Sequence, residues 1–266
     1  MAPVPLLRRT TLSGCKMPSS RLPLRDPRTV ARDIPGVLDI LFPRLSGGMV
    51  QSLNKGLRRI EGISPVPEAM IEQSQLQKSM LFELASVRAE LILREDAAPS
   101  WEECLALAVA RQRRHFDAKI PPSLSTLDMA VAERASANLV SMLHELERHD
   151  RNSSIEIAPR IPGLGWIAPG NGDFALGVHL IEVKHTNRNF VSGDFRQVLM
   201  YWLLKYAVSV ETNETVWSEL ILLNPRRNCW LKLNFDFLLK TASANLNRVE
   251  LSELLRSVVG QDADRR

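Results

Sequence analysis

The sequence predicts an α/β protein, with a helical N-terminal region followed by a mixed β-sheet core flanked by helices. Three observations predict it. Apolar residues recur at helical spacing from residue 34 to about 149; short alternating or β-branched segments punctuated by glycine follow Asp150; and one long apolar helix interrupts those strands. The chain has 266 residues, 45% of them hydrophobic and 24% charged, the balance of an ordinary globular protein. That composition excludes disordered, collagen-like and coiled-coil readings, and no apolar run approaches the roughly 20 residues of a membrane span. Cys15, Cys104 and Cys229 are odd in number and far apart, so they form neither a disulfide framework nor a metal finger and fit a reducing cytoplasm.

The net charge of +4 is compatible with a nucleic-acid partner without demanding one. Its distribution is more informative. Residues 1–32 carry seven basic side chains (Arg8, Arg9, Lys16, Arg21, Arg25, Arg28 and Arg32) against the single acid Asp26, among many prolines and serines. Such a segment buries little apolar surface, so residues 1–33 are expected to be a flexible basic arm. An organelle transit peptide has similar composition, but no amphipathic helix crosses the prolines.

Residues 34–124 read as a helical accessory domain. From Pro67 to Glu95, Met70, Leu76, Met80, Leu81, Leu84, Val87 and Leu91 step by threes and fours, which predicts one amphipathic helix. Ser100 and Glu103 have capping-box spacing ahead of Trp101, Cys104, Leu105 and Ala108, and Arg111, Arg113, Arg114 and His115 suit that helix's C-terminus. Ser46-Gly47-Gly48 reads as a turn, lacking the spacing and lysine of a phosphate-binding loop. Pro121 and Pro122 then break the chain.

Residues 125–266 read as the core. A helix from Ser125 to His149 carries Met129, Ala132, Leu139, Leu143 and Leu146 on one side. Strands are expected at Ile155–Ile157, Val178–Lys184, Trp217–Leu223 and Cys229–Phe237, with a turn at Asn224-Pro225 and a helix from Ser192, its N-cap, to about Val208.

Strand side chains alternate faces, so Glu182 and Lys184 share one face while Ile181 and Val183 occupy the other. With a two-residue turn at Leu176-Gly177, Asp173 opposes Leu180 and lies diagonally from Glu182 on the same face. A one-residue slip would separate them. Two converging carboxylates repel unless a cation joins them, and hard oxygen ligands suit Mg²⁺ or Mn²⁺. An ammonium beside such an ion could orient water or neutralise charge on a phosphorane. A surface ion pair with Lys184 would produce the same letters.

Asp173, then Glu182-x-Lys184, then a helix bearing Gln197 and Tyr201 resembles the PD-(D/E)XK nuclease superfamily, with its restriction-endonuclease-like and RecB-like cores, over residues 125–240. Gly172 stands where the literal motif has proline. The resemblance implies a Mg²⁺- or Mn²⁺-dependent endodeoxyribonuclease, with Asp173 and Glu182 and the Val183 backbone carbonyl as metal ligands, Lys184 assisting the water, and Gln197 over the site. Glu133, on the preceding helix, is a further metal-ligand candidate by position. Arg188, Arg196, Arg226 and Arg227 are candidates for a basic rim holding DNA phosphates, with Tyr201 touching the same site. The resemblance further implies a controlling protein partner, such as a helicase or ATPase of a defence, restriction or mobile-element system. A catalytically inactive scaffold of the same fold is the alternative. His179 and His185 flank the motif on the opposite face and are expected to pack or to face solvent.

Overall fold

The computed structural model describes residues 24–33, 36–95, 98–113, 121, 123–150 and 152–264. Arg8, Arg9, Cys15, Lys16, Arg21, Arg114, His115 and Pro122 lie outside them. Two short helices, α1 (Pro27–Asp33) and α2 (Val37–Leu41), lead into α3 (Gly47–Asn54), α4 (Glu68–Gln73), α5 (Lys78–Glu95), α6 (Trp101–Gln112) and the long α7 (Thr126–His149). Strands β1 (Ile155–Ile157), β2 (Arg160–Ile161), β3 (Gly170–Asn171), β4 (Phe174–Leu176) and β5 (His179–Val183) follow, then α8 (Ser192–Thr212). The described chain closes with β6 (Glu219–Asn224), β7 (Cys229–Asn234), α9 (Phe235–Ala242) and α10 (Arg248–Asp264). The class is mixed α/β, as the hydrophobic periods predict.

The main sheet has the order β1-β4-β5-β6-β7, with β5 and β6 parallel and the other neighbours antiparallel. A parallel pair needs a long crossover, and α8 supplies it. Strand alternation divides the sheet into two apolar faces. Leu180, Leu220 and Leu222 pack with Val198, Leu199 and Trp202 of α8, whereas Ile181, Ile221 and Leu223 pack with Leu139, Met142 and Leu143 of α7. The sheet is therefore sandwiched between helices. In the helical region, α4, α5 and α6 pack on the N-terminal half of α7, while Val37, Leu38 and Leu41 of α2 join the core around α8.

Several elements depart from expectation. The helix predicted over Pro67–Glu95 is two, because the Ser74 hydroxyl accepts from Leu76 N–H (3.2 Å) and donates to Asp128 (2.6 Å), side-chain bonds that compete with helix continuation. Ser46-Gly47-Gly48 begins α3, with Ser46 capping Met49 N–H, rather than making a turn. Asn234 ends β7 and caps α9 through Phe237 N–H, so Phe235 to Phe237 are helical. Ser192 is the first helical residue of α8; Asp194 accepts from Val191 N–H at 2.9 Å and closes that end. Ser100 and Ser125 cap α6 and α7 as predicted.

The expected flexible arm also needs correction at its C-terminal end. Val30 and Ala31 of α1 are buried in the core that holds α8. Arg25 N–H donates to the Trp166 carbonyl, and Ala168 N–H donates to the Arg25 carbonyl. Asp26 accepts from Arg28 and Thr29 N–H with Pro27 as first helical residue, a helix start visible in the sequence that overall composition obscured.

Candidate active site

The β4–β5 hairpin sets the site. Its register pairs Leu176 with His179, Ala175 with Leu180 and Phe174 with Ile181, so the loop is Gly177-Val178 rather than Leu176-Gly177. Gly177 takes the left-handed conformation (φ 53°), and a Cβ there would lie 2.4 Å from Ser153 Oγ. Relative to the expected pairing, every partner on β5 moves on by two residues. An even displacement preserves the face, so Asp173 still meets Glu182, more directly than a diagonal would allow.

Asp173 stands just before β4. Its main-chain carbonyl accepts from Ala158 N–H at 2.9 Å, and Oδ2 accepts from Val183 N–H at 2.8 Å. The neighbouring Gly172 N–H donates to the Pro159 carbonyl at 2.9 Å. A proline at 172 would lack that donor.

Glu182 is fully buried on the α8 face of the sheet. Its Oε1 accepts from Lys184 Nζ (2.7 Å) and from Gln197 Nε2 (2.6 Å); Gln197 Oε1 accepts from Lys184 Nζ (2.8 Å). Gln197 Nε2 also donates to the Tyr201 hydroxyl at 2.9 Å. Residues 197 and 201 lie one helical turn apart on α8, which presents both to the strand. Burial and then the Asp173 carboxylate raise the Glu182 carboxyl above the usual range, against the opposing pull of Lys184 and Arg28. Burial likewise pushes the Tyr201 phenol up, which keeps it a neutral donor and acceptor.

Arg28 of α1, which composition assigns only to the basic arm, completes the cluster. Its Nη2 stands 3.4 Å from Asp173 Oδ1 and 3.8 Å from Glu182 Oε1, and its guanidinium also meets the Tyr201 hydroxyl. One atomic position is therefore within reach of both carboxylates. The remaining Glu182 oxygen, Oε2, is buried without a hydrogen-bond partner.

Other candidates are placed elsewhere. Glu133 pairs with Arg88 at 2.7 Å instead of joining the carboxylate pair; helix position alone could not reveal that partner. Arg226 is 4% exposed, paired with Glu68 and lying over the Phe82 ring, so it is no part of an open rim. Arg196 pairs with Asp39. Arg188 binds Asp194 at 3.0 Å and Arg227 donates to Asn189 at 2.9 Å; these two remain near the loop before α8. Tyr201 is 2% exposed, so it supports Gln197 instead of offering a stacking surface. His179 Nδ1 donates to the Leu176 carbonyl and its Nε2 accepts from Lys232, and His185 stacks on Phe82, its pKa lowered to about 4 by burial and then by Arg226.

The donor set fits a hard divalent cation in part. Asp173 Oδ1 and Glu182 Oε1 are the carboxylate oxygens facing the shared cationic position, and Glu182 Oε2 is a further buried oxygen with no hydrogen-bond partner. Among the described residues no third His, Cys, Asp or Glu joins them, so water and main-chain oxygen would complete the shell. The Val183 main chain is engaged at this site through its N–H. No family model matches the chain, and comparison with curated proteins and with solved structures gives no match.

Proposed function

We propose that this chain is a metal-dependent nuclease that hydrolyses phosphodiester bonds of DNA. The observation that carries the reading is the single position within reach of Asp173 and Glu182, flanked by an ammonium that Gln197 holds in place. Asp173 and Glu182 would hold Mg²⁺ or Mn²⁺, with the Val183 carbonyl a further ligand by resemblance. When bound, the ion supplies polarisation of a phosphoryl oxygen and acidification of a water. Glu182 and Gln197 take two of the three donor hydrogens of Lys184, which leaves one for the attacking water or for charge growing on the phosphorane. Gln197 keeps the ammonium from turning away from the reacting group. A cytoplasmic setting and a controlling helicase or ATPase, in a defence, restriction or transposition system, accompany this reading by family resemblance.

One observation favours a second reading, a catalytically inactive scaffold that binds a protein or nucleic acid: Arg28 already neutralises the carboxylate pair. Incubation of plasmid DNA with the full chain in Mg²⁺, Mn²⁺ or EDTA separates the two. Metal-dependent nicking that disappears in Asp173→Ala and Lys184→Ala supports the nuclease; equal behaviour of wild type and variants discards it.

A further inference from the structure

Arg28 occupies the place where a bridging cation would sit. Its side chain is 46% exposed, yet the helix that carries it is anchored: Val30 and Ala31 are buried, Arg25 bonds to Trp166 and Ala168 through the main chain, and Asp26 caps the helix start. Tethering of this kind keeps the guanidinium at high effective concentration beside the carboxylates. Its contacts with the two carboxylates are loose, at 3.4 and 3.8 Å against about 2.7–2.9 Å for a tight charge-assisted bond, and the Tyr201 hydroxyl is its third partner. A half-exposed side chain so held can rotate into solvent while α1 stays docked.

We propose that Arg28 is a built-in competitor for the divalent ion, occupying the Asp173–Glu182 pair until metal displaces it. The proposal rests on the metal reading above and adds a restraint supplied by the chain's own N-terminal helix. A guanidinium and a divalent cation cannot share the position, because their repulsion at such a separation exceeds thermal energy even with partial solvent screening. Loading therefore requires the guanidinium to leave, and its departure costs the site one compensating charge that the metal replaces.

Mn²⁺ binding to the full chain, measured by calorimetry, tests this. Arg28→Gln should bind about tenfold tighter than wild type, as expected for removal of a partly exposed unit charge from the site. Arg28→Lys, which keeps the charge but not the fork, should fall between them, and Asp173→Asn should lose the signal. Circular dichroism confirms that each chain is folded. Equal or weaker binding by folded Arg28→Gln overturns the competitor while the metal reading stands. Absence of binding in wild type and Arg28→Gln alike removes the metal reading, and the competitor with it.

Discussion

Lys184 Nζ donates to the Gln197 amide oxygen at 2.8 Å, and this bond decides which way the buried amide points. An ammonium has only hydrogens to offer, so the oxygen must face Lys184 and the NH₂ must face Glu182 and Tyr201. Four side chains thus hold one another in a single arrangement.

Gln197→Ala would leave part of the Lys184 ammonium unsatisfied in a buried site and leave the Tyr201 hydroxyl only its Arg28 partner. Urea unfolding should show a loss of about 1–3 kcal/mol, the range for stranding buried polar groups. A change below about 0.5 kcal/mol, the usual scatter for surface substitutions, would mean that the network does not hold the core together.

Acid stability should depend on Asp128. Burial raises its carboxyl, but bonds from Ser125 and Ser74 outweigh burial and hold it below the ordinary range. A depressed folded-state value stabilises the protein above the unfolded carboxyl's value of about 4 and is lost as pH falls through the lowered value. Asp128→Asn should cost about 1 kcal/mol at neutral pH. It should also flatten the fall in thermal midpoint below about pH 4; an unchanged acid limb would contradict this role.

Gly177→Ala places a Cβ 2.4 Å from Ser153 Oγ and 2.9 Å from Asp150 Oδ2 at a left-handed φ. A loss of about 1–3 kcal/mol is expected by thermal melting. Ser153→Gly in the same chain should recover the steric part and leave the conformational part. No recovery would show that the clash is relieved by backbone movement instead.

Glu133→Ala tests the reassignment of that carboxylate. Mn²⁺ affinity should stay close to that of wild type, while Asp173→Asn abolishes binding. Stability should fall by about 0.5–1 kcal/mol, because the Glu133 side chain is 51% exposed even though its partner Arg88 is buried. A large drop in metal affinity would return Glu133 to the site.

Local periodicity in the sequence determined the helices capped by Ser100 and Ser125, the strand bearing Glu182, the separation of Ile181 and Val183 from the acidic face, and the helix carrying Gln197 and Tyr201. Each depends on spacing within a few residues, which the chain states directly. Long-range packing decided the rest. Arg28 lies 145 residues from Asp173, and its arrival depends on where α1 docks, a matter settled by Val30 and Ala31 finding the core beside α8. Likewise, Glu133 and Arg226 were diverted by Arg88 and Glu68, partners that nearness in sequence does not identify. The hairpin register differs by two residues from the expected one, with Gly177, left-handed at φ 53° and packed against Ser153, opening the Gly177-Val178 turn. Charges select their partners in space, whereas helices and strands begin from neighbours along the chain.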